Sequence, residues 1–314
     1  MRKIACTLLV FLVALFAADR LGSMAMEWVF RHSNDVLSPK LRHLADGVDE
    51  DVVLLGASRC HHHYVPSVIA DSLGLSVYNA GVGGADNIYS HYIVLCHVLA
   101  SHAPKVVCLE VMPTDVNQQA EPFTVTSFFA PLYGRNAVAD SIFLLAGTHW
   151  RYRLSHLYRY NAKASSMLWG LVLNRQRGSD NGYIPLERAA IPPSSATAEK
   201  PVGETDSLKL SYLKRFADLC RQHGTQLVLT ISPKFTLAGA NHYDALRQFA
   251  RDNALPLLDY HTPGLYLDHP EYFKDVSHLC DEGARVFSSL FAHDLKEVME
   301  DSTHICIFAN ANGH

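Results

Sequence analysis

None of the seven cysteines is spaced as C-x-x-C, so neither a zinc knuckle nor a thioredoxin-like redox motif is written into the chain. Charge is sparse: charged residues make up 18% and the formal net charge is −4, which leaves no basic surface of the kind nucleic acid needs. No internal repeat is evident. No glycine-rich phosphate loop opens a helix after the first predicted strand, which argues against a flavodoxin-like nucleotide binder. The pentapeptide G-x-S-x-G is missing as well. Around Ser58 the chain reads Gly56-Ala-Ser58-Arg-Cys60, so the nucleophile elbow of the α/β-hydrolases is not formed.

What is present is apolar material, 48% of 314 residues, enough for a sizeable core. Arg2 and Lys3 precede an apolar run from Ile4 to Ala18, stopped by Asp19 and Arg20. Fifteen helical residues cover about 22 Å, which suits a signal-peptide core or a short signal anchor over residues 1–22. No A-x-A pair lies at Ala14–Ala18, which favours an anchor that is not cleaved and a domain on the extracytoplasmic side of a membrane.

Past a polar stretch ending near Glu50, short apolar runs alternate with helical spacing. Asp51–Gly56, Ser76–Gly81, Lys105–Val111, Gln226–Ile231 and Pro256–Tyr260 read as five buried strands. Helical spacing falls at Val65–Leu73, Asp86–Ser101, Leu208–His223, His242–Asn253 and Asp281–Val298. This order predicts a three-layer α/β/α domain over 51–300 with a five-stranded parallel sheet, its ligands at the carboxyl ends of the strands. The rhythm lapses between 117 and 206, a stretch rich in tyrosine and arginine followed by a Pro/Ser/Ala/Thr loop. It is expected to be an insertion over the active-site edge. Its aromatic residues Tyr133–Tyr160 either form a sugar-binding rim or pack on the domain.

The chemistry begins at Ser58, just past the first strand on a glycine turn, where an α/β enzyme exposes a nucleophile. A serine needs a base, and the base an orienting acid. Asp275-Val-Ser-His278 offers both in the loop before the last helix. With eighteen histidines such a motif also arises by accident, and Asp301-Ser-Thr-His304 in the tail is read as the accidental one. His61-His62-His63 invites a metal, but adjacent side chains point in different directions and rarely share an ion. No metal or cofactor is therefore expected. Arg59 either binds an anionic substrate group or forms a salt bridge that holds the turn.

Taken together, these blocks resemble the SGNH (GDSL-like) hydrolases. Gly56-Ala-Ser58 matches the first block, with Ala57 in place of the usual aspartate. Asn79-Ala-Gly81-Val-Gly-Gly84 matches the second, and Asp275-Val-Ser-His278 the last. Order and spacing agree over about 51–115 and 208–298. The resemblance implies a flavodoxin-like fold, with Ser58, Asp275 and His278 catalytic and Ser58 and Gly84 as oxyanion donors. Asn79, in the second block, is expected near the substrate, as is Arg59 if it is the ligand contact and not the salt bridge. Thr114, in Met112-Pro-Thr114-Asp115, stands where the family has an asparagine donor. Divergent, membrane-anchored relatives add or remove acyl groups on cell-envelope glycans. The resemblance therefore implies a serine esterase or O-acyltransferase on an acylated glycan or small ester, with the membrane as partner through residues 1–22. The rival expectation is a binding or assembly protein that keeps the fold without turnover.

Overall fold

The computed structural model describes residues 1–174, 179–189, 203–236, 242–261 and 268–300. The second D-x-x-H, Asp301/His304, lies outside them. In chain order the first elements are α1 (Arg2–His32), α2 (Ser38–Asp46), β1 (Val52–Leu55), α3 (Ser58–His63), α4 (Pro66–Leu73), β2 (Val77–Asn79) and α5 (Ile88–Ser101). There follow β3 (Val106–Glu110), α6 (Ala137–Leu145), α7 (His149–Leu154), α8 (Ala164–Gly170) and α9 (Ser207–Gln222). The last are β4 (Gln226–Ile231), α10 (Asp244–Asp252), β5 (Leu257–Asp259) and α11 (Asp281–Glu300). The chain forms two compact units, Met1–Asp46 with Thr126–Arg177, and Gly47–Val125 with Gly178–His314.

The larger unit carries the expected five-stranded sheet, ordered β2-β1-β3-β4-β5 and parallel throughout. Val52 and Val53 of β1 face Val77 and Tyr78 on one side, and Val106 and Val107 on the other. Every residue of β1, β2, β3 and β5 is buried. That is why these strands read as unbroken apolar runs instead of alternating ones. Side chains alternate between the two faces. Val52, Leu54, Val106, Cys108, Val228 and Leu258 join Tyr64, Ile69, Phe287 and Phe291 in one core, so α4 and α11 cover that face. The chain order reverses about β1, with β2 on one side and β3 on the other. This is the switch point at which open α/β sheets place their ligands.

Gly56 closes the turn that leaves β1. Its φ is +153°, and a Cβ there would lie 2.7 Å from Cys60 Cβ and 3.0 Å from Glu110 Cβ. Only glycine lets the start of α3 come down against the end of β3.

The smaller unit differs from expectation in extent. The apolar run does not end its helix at Ala18; α1 continues to His32, with Val29 and Phe30 buried. The polar stretch before Glu50 also holds α2. Tyr133, Phe143 and Tyr152 pack against one another edge-on or tilted, with centroids 5.4–5.5 Å apart. Tyr160 gives its hydroxyl to Glu27 at 2.5 Å. Of the two readings for this stretch, a sugar-binding rim or packed rings, burial of Tyr152 and Tyr160 favours packing, here within the small unit.

The expected 117–206 insertion is thus divided. Its end returns to the larger unit, where Asn181 O accepts from Asn79 N–H at 2.9 Å and Tyr183 donates to Asp281 at 2.8 Å.

The packing of α11 sets a first test. Phe291 is fully buried and sits edge-on to Tyr64 at 4.8 Å. Phe291→Ala is expected to lower the free energy of unfolding by about 3–5 kcal/mol in denaturant titration. A loss below about 1 kcal/mol, within the range of ordinary surface changes, would contradict the packing described.

Candidate functional site

Ser58 opens α3 directly after the Gly56 turn and is half-buried. The last loop brings the other two residues to it. Asp275 folds that loop on itself, its Oδ1 accepting the backbone N–H of Ser277 at 2.8 Å and of His278 at 3.0 Å. The same carboxylate stands 3.0 Å from His278 Nδ1 through both oxygens, and His278 Nε2 stands 2.9 Å from Ser58 Oγ. A carboxylate can only accept, so Nδ1 carries the proton and Nε2 accepts from the serine hydroxyl. The chain of donors is therefore directed from Ser58 through His278 to Asp275. Such a chain can draw the proton from Ser58 as an electrophile approaches. Burial acts to raise the Asp275 pKa, but the two N–H groups and the imidazole outweigh it and hold the carboxyl below its ordinary value.

The glycine turn after β2 is pressed against the first turns of α3. A Cβ on Gly81 would lie 2.7 Å from His61 N, and Val82 N–H donates to Gly56 O at 3.0 Å. Gly84, in the same turn, is exposed with a φ of +81°. The Thr114 hydroxyl lies in the Pro113–Asp115 turn after β3, closed to solvent and with no partner among the described residues. Its carbonyl is taken by Lys209 Nζ at 2.7 Å. A hydroxyl sealed in this way is not offered to an oxyanion arriving from solvent, so the role implied for Thr114 is not what the geometry provides.

Two expected substrate contacts are corrected. Arg59 is 2% exposed, and its Nη2 lies 2.9 Å from Glu110 Oε1 at the end of β3. The guanidinium also donates to Val111 O at 3.2 Å, Tyr243 Oη at 3.1 Å and Ser232 O at 3.4 Å. It is the buried ion pair holding the turn, with no surface left for a ligand. Asn79 is fully buried too. Its amide donates to Cys60 O at 2.7 Å and Tyr64 O at 2.9 Å, and accepts from Gly81 N at 3.0 Å. It ties the glycine turn to the end of α3.

Two of the three adjacent histidines take separate partners. His62 Nδ1 meets Ile184 O at 2.8 Å. The ring of His278 stands edge-on to both His62 and His63, with centroids 5.9 and 6.2 Å away. His63 is fully buried; its Nε2 accepts the N–H of Leu279 at 3.0 Å, and its Nδ1 meets Ser232 Oγ at 2.9 Å. Ser232 in turn donates to Glu110 Oε1 at 3.1 Å. One imidazole thereby joins the serine helix, the end of β4 and the residue next to His278. Sequence reasoning missed this link because its partners lie 216 and 169 positions away. The tripeptide itself was the only signal.

No family model matches the chain, and no curated protein matches it. Among solved structures it is similar to a Bacteroides fragilis protein provisionally described as an acylhydrolase. The identity is 13%, the match covers 84% of this chain and 97% of that one, and the TM-score is 0.42. A likeness that distant carries no chemistry across.

The His63 bonds give a test with a definite sign. Because Nε2 must accept from Leu279 N–H, the ring must stay neutral. Burial, with the Arg59 charge adding to it, holds its pKa well below the ordinary 6.5. Unfolded, His63 takes up a proton as pH falls through about 6.5; folded, it does not. Its contribution to stability is therefore full above that pH and lost below it, at up to about 1.4 kcal/mol per pH unit. His63→Gln is expected to be less stable at pH 8 and to show a shallower fall in stability between about pH 6.5 and 5, measured by urea unfolding. Parallel curves for the two proteins would contradict the neutral, buried imidazole.

Proposed function

We propose that the protein is a serine esterase or O-acyltransferase that acts on an acylated carbohydrate outside the cytoplasm through an acyl-enzyme on Ser58. The observation that carries this is the directed chain Ser58 Oγ–H to His278 Nε2, and His278 Nδ1–H to Asp275, at the sheet's switch point. His278 takes the serine proton as Oγ attacks the acyl carbonyl, and Asp275 holds the imidazole in the tautomer that can do so. The backbone N–H groups of Ser58 and Gly84 steady the oxyanion; a first-turn N–H such as that of Ser58 has no acceptor within its own helix. Collapse of the tetrahedral species breaks the carbonyl carbon–oxygen bond to the leaving alcohol, which receives its proton from His278. Water or a sugar hydroxyl then gives its proton to His278 and attacks the acyl-enzyme, releasing Ser58. The acylated glycan as substrate class is supported by the resemblance of the sequence blocks.

The site is proposed to lie on the extracytoplasmic side, held by an anchor that stays attached. The basic start of the chain and an 18-residue window of mean hydropathy 2.1, unburied in the folded chain, support a span. Retention is supported by α1 itself, which passes Ala18 without a break and contributes Asp19, Glu27 and Phe30 to the folded small unit.

A second reading, a glycan-binding protein of the same fold without turnover, is favoured by one observation. The Thr114 hydroxyl is sealed at the place where the family pattern has an oxyanion donor.

Ser58→Ala is expected to lower kcat on a short-chain acyl ester or acetylated sugar by about 10³-fold or more, with the melting temperature unchanged. Asp275→Asn should also fall steeply, because an amide can donate to Nδ1 and so favour the tautomer whose protonated Nε2 cannot accept from Ser58. Equal rates in wild type and Ser58→Ala would sink the assignment of the nucleophile. No turnover by the wild type would favour the binding reading.

A further inference from the structure

The small unit carries an apolar surface that its own packing does not explain. Asp19 is the first charge after the apolar run, and it builds a turn on the side of α1. Its carboxylate accepts the Ser155 hydroxyl and the backbone N–H groups of His156 at 3.0 Å and Leu157 at 3.3 Å. Gly22 lets that turn close in, since a Cβ there would sit 3.1 Å from Leu157 Cδ2. The 155–157 turn is therefore fixed at the level where α1 stops being purely apolar.

Helix α7 runs directly into this turn. Trp150 and Leu154 lie at i and i+4 on it, so they share one face, and they are 53% and 72% exposed. Leu157 and Tyr158 are exposed beside them. Between the apolar positions stand Arg151 and Arg153, both exposed, with the Arg151 guanidinium 5.5 Å from the Trp150 ring centroid. On α1, Arg20 folds its stem back so that the guanidinium lies 4.4 Å from the Phe16 ring centroid. Tryptophan, leucine and arginine mixed at one level is the composition of a headgroup belt: amphipathic rings sit at the interface, and cations meet lipid phosphates.

We infer that α7 and the 155–157 turn form a collar that seats in the headgroup layer of the leaflet from which α1 emerges. Trp150, Leu154 and Leu157 enter the lipid, while Arg151 and Arg153 meet anionic headgroups; Arg20 stays paired with Asp19 at 3.2 Å. The inference rests on α1 being a membrane span. The occupant is the lipid surface because the patch adjoins α1 at Asp19, where its apolar run ends, and is basic where a bilayer is acidic.

The same unit supplies its own control. A second apolar group, Leu168, Trp169, Val172 and Leu173, is also exposed, but α8 is tied to the opposite end of α1. Asn34 N–H donates to Gly170 O at 2.8 Å, and a Cβ on Gly170 would collide with Ser33 Oγ. From Asp19 to Ser33 an α-helix rises about 21 Å, whereas a headgroup layer is only about 5–7 Å deep. An α1 standing across the bilayer keeps Trp169 in water while Trp150 touches lipid.

The chain has three tryptophans, Trp28, Trp150 and Trp169, all exposed, so single-tryptophan proteins are made by Trp→Phe changes that leave the core intact. The full chain is reconstituted in phosphatidylcholine–phosphatidylglycerol vesicles, with or without acyl chains brominated near the headgroup, and flotation is scored first. Emission from Trp150 is expected to be quenched by the brominated lipid and shielded from aqueous acrylamide, with the reverse for Trp169. A chain that floats while Trp150 is open to acrylamide and unaffected by bromine overturns the collar and leaves the anchor standing. Shielding from acrylamide without bromine quenching assigns the patch to a protein partner or a second copy instead, and also overturns it. A chain that does not float removes the anchor, and the collar with it.

Discussion

The Arg59–Glu110 ion pair is the contact on which the place of Ser58 depends. Arg59 follows Ser58 on α3, and Glu110 ends β3, so the pair clamps the serine turn to the strand on the far side of the switch point. Both groups are almost wholly out of water. Taking two charges from water costs several kcal/mol per ion, which only close geometry and further hydrogen bonds offset. The structure supplies those bonds: three oxygen acceptors around the guanidinium, and Ser232 on the carboxylate. Burial still pushes the Glu110 carboxyl up from its ordinary value against the pull of Arg59. A buried pair of this kind is weak evidence for stability. It is better understood as fixing one arrangement, because losing either partner leaves a lone charge under the site.

From this clamp the network reaches the other half of the site. Glu110 accepts from Ser232, Ser232 meets His63, and His63 accepts from Leu279 N–H beside His278. Ser58 and His278 thus hang on one buried chain of bonds that runs from the Arg59 guanidinium, next to Ser58, to the Leu279 backbone N–H, next to His278. Among the described residues Arg59 Nε and Glu110 Oε2 find no further partner, so the chain is bonded through one carboxylate oxygen, and loss of any link would be costly. The exposed part of the site, Asp275 at 52% and His278 at 25% side-chain exposure, is held from below by parts that never meet a ligand.

The strands and the three residues now brought together were legible because their signals are local. A strand buried on both faces is a short apolar run, and the aspartate and histidine fall within one turn of chain before a helix. The supports were illegible because they are not local: Arg59 with Glu110, His63 with Ser232, and Asn79 with Tyr64 O are set by the fold. Residue type alone left Arg59 between ligand and clamp, and burial decides for the clamp. It likewise moves Asn79 from the substrate to the glycine turn. The length of α1 was hidden for another reason. Past Ala18 its apolar periodicity thins to a face, and what holds it helical there is packing of Val29 and Phe30 together with the Glu27 contacts to Arg31, Arg135 and Tyr160. For the tyrosines of that unit the sequence left two readings open, because an aromatic cluster reads alike as a sugar rim or as packing, and burial of Tyr152 and Tyr160 favours packing.

The central proposal is that Ser58 is made nucleophilic by its directed bonds to His278 and Asp275. The most direct measurement is covalent labelling of the full chain with a fluorophosphonate, followed by peptide mapping. The account predicts one modified residue, Ser58, with labelling lost when His278 is replaced by alanine. A label mapped to another serine, or labelling of Ser58 that persists without His278, would contradict it.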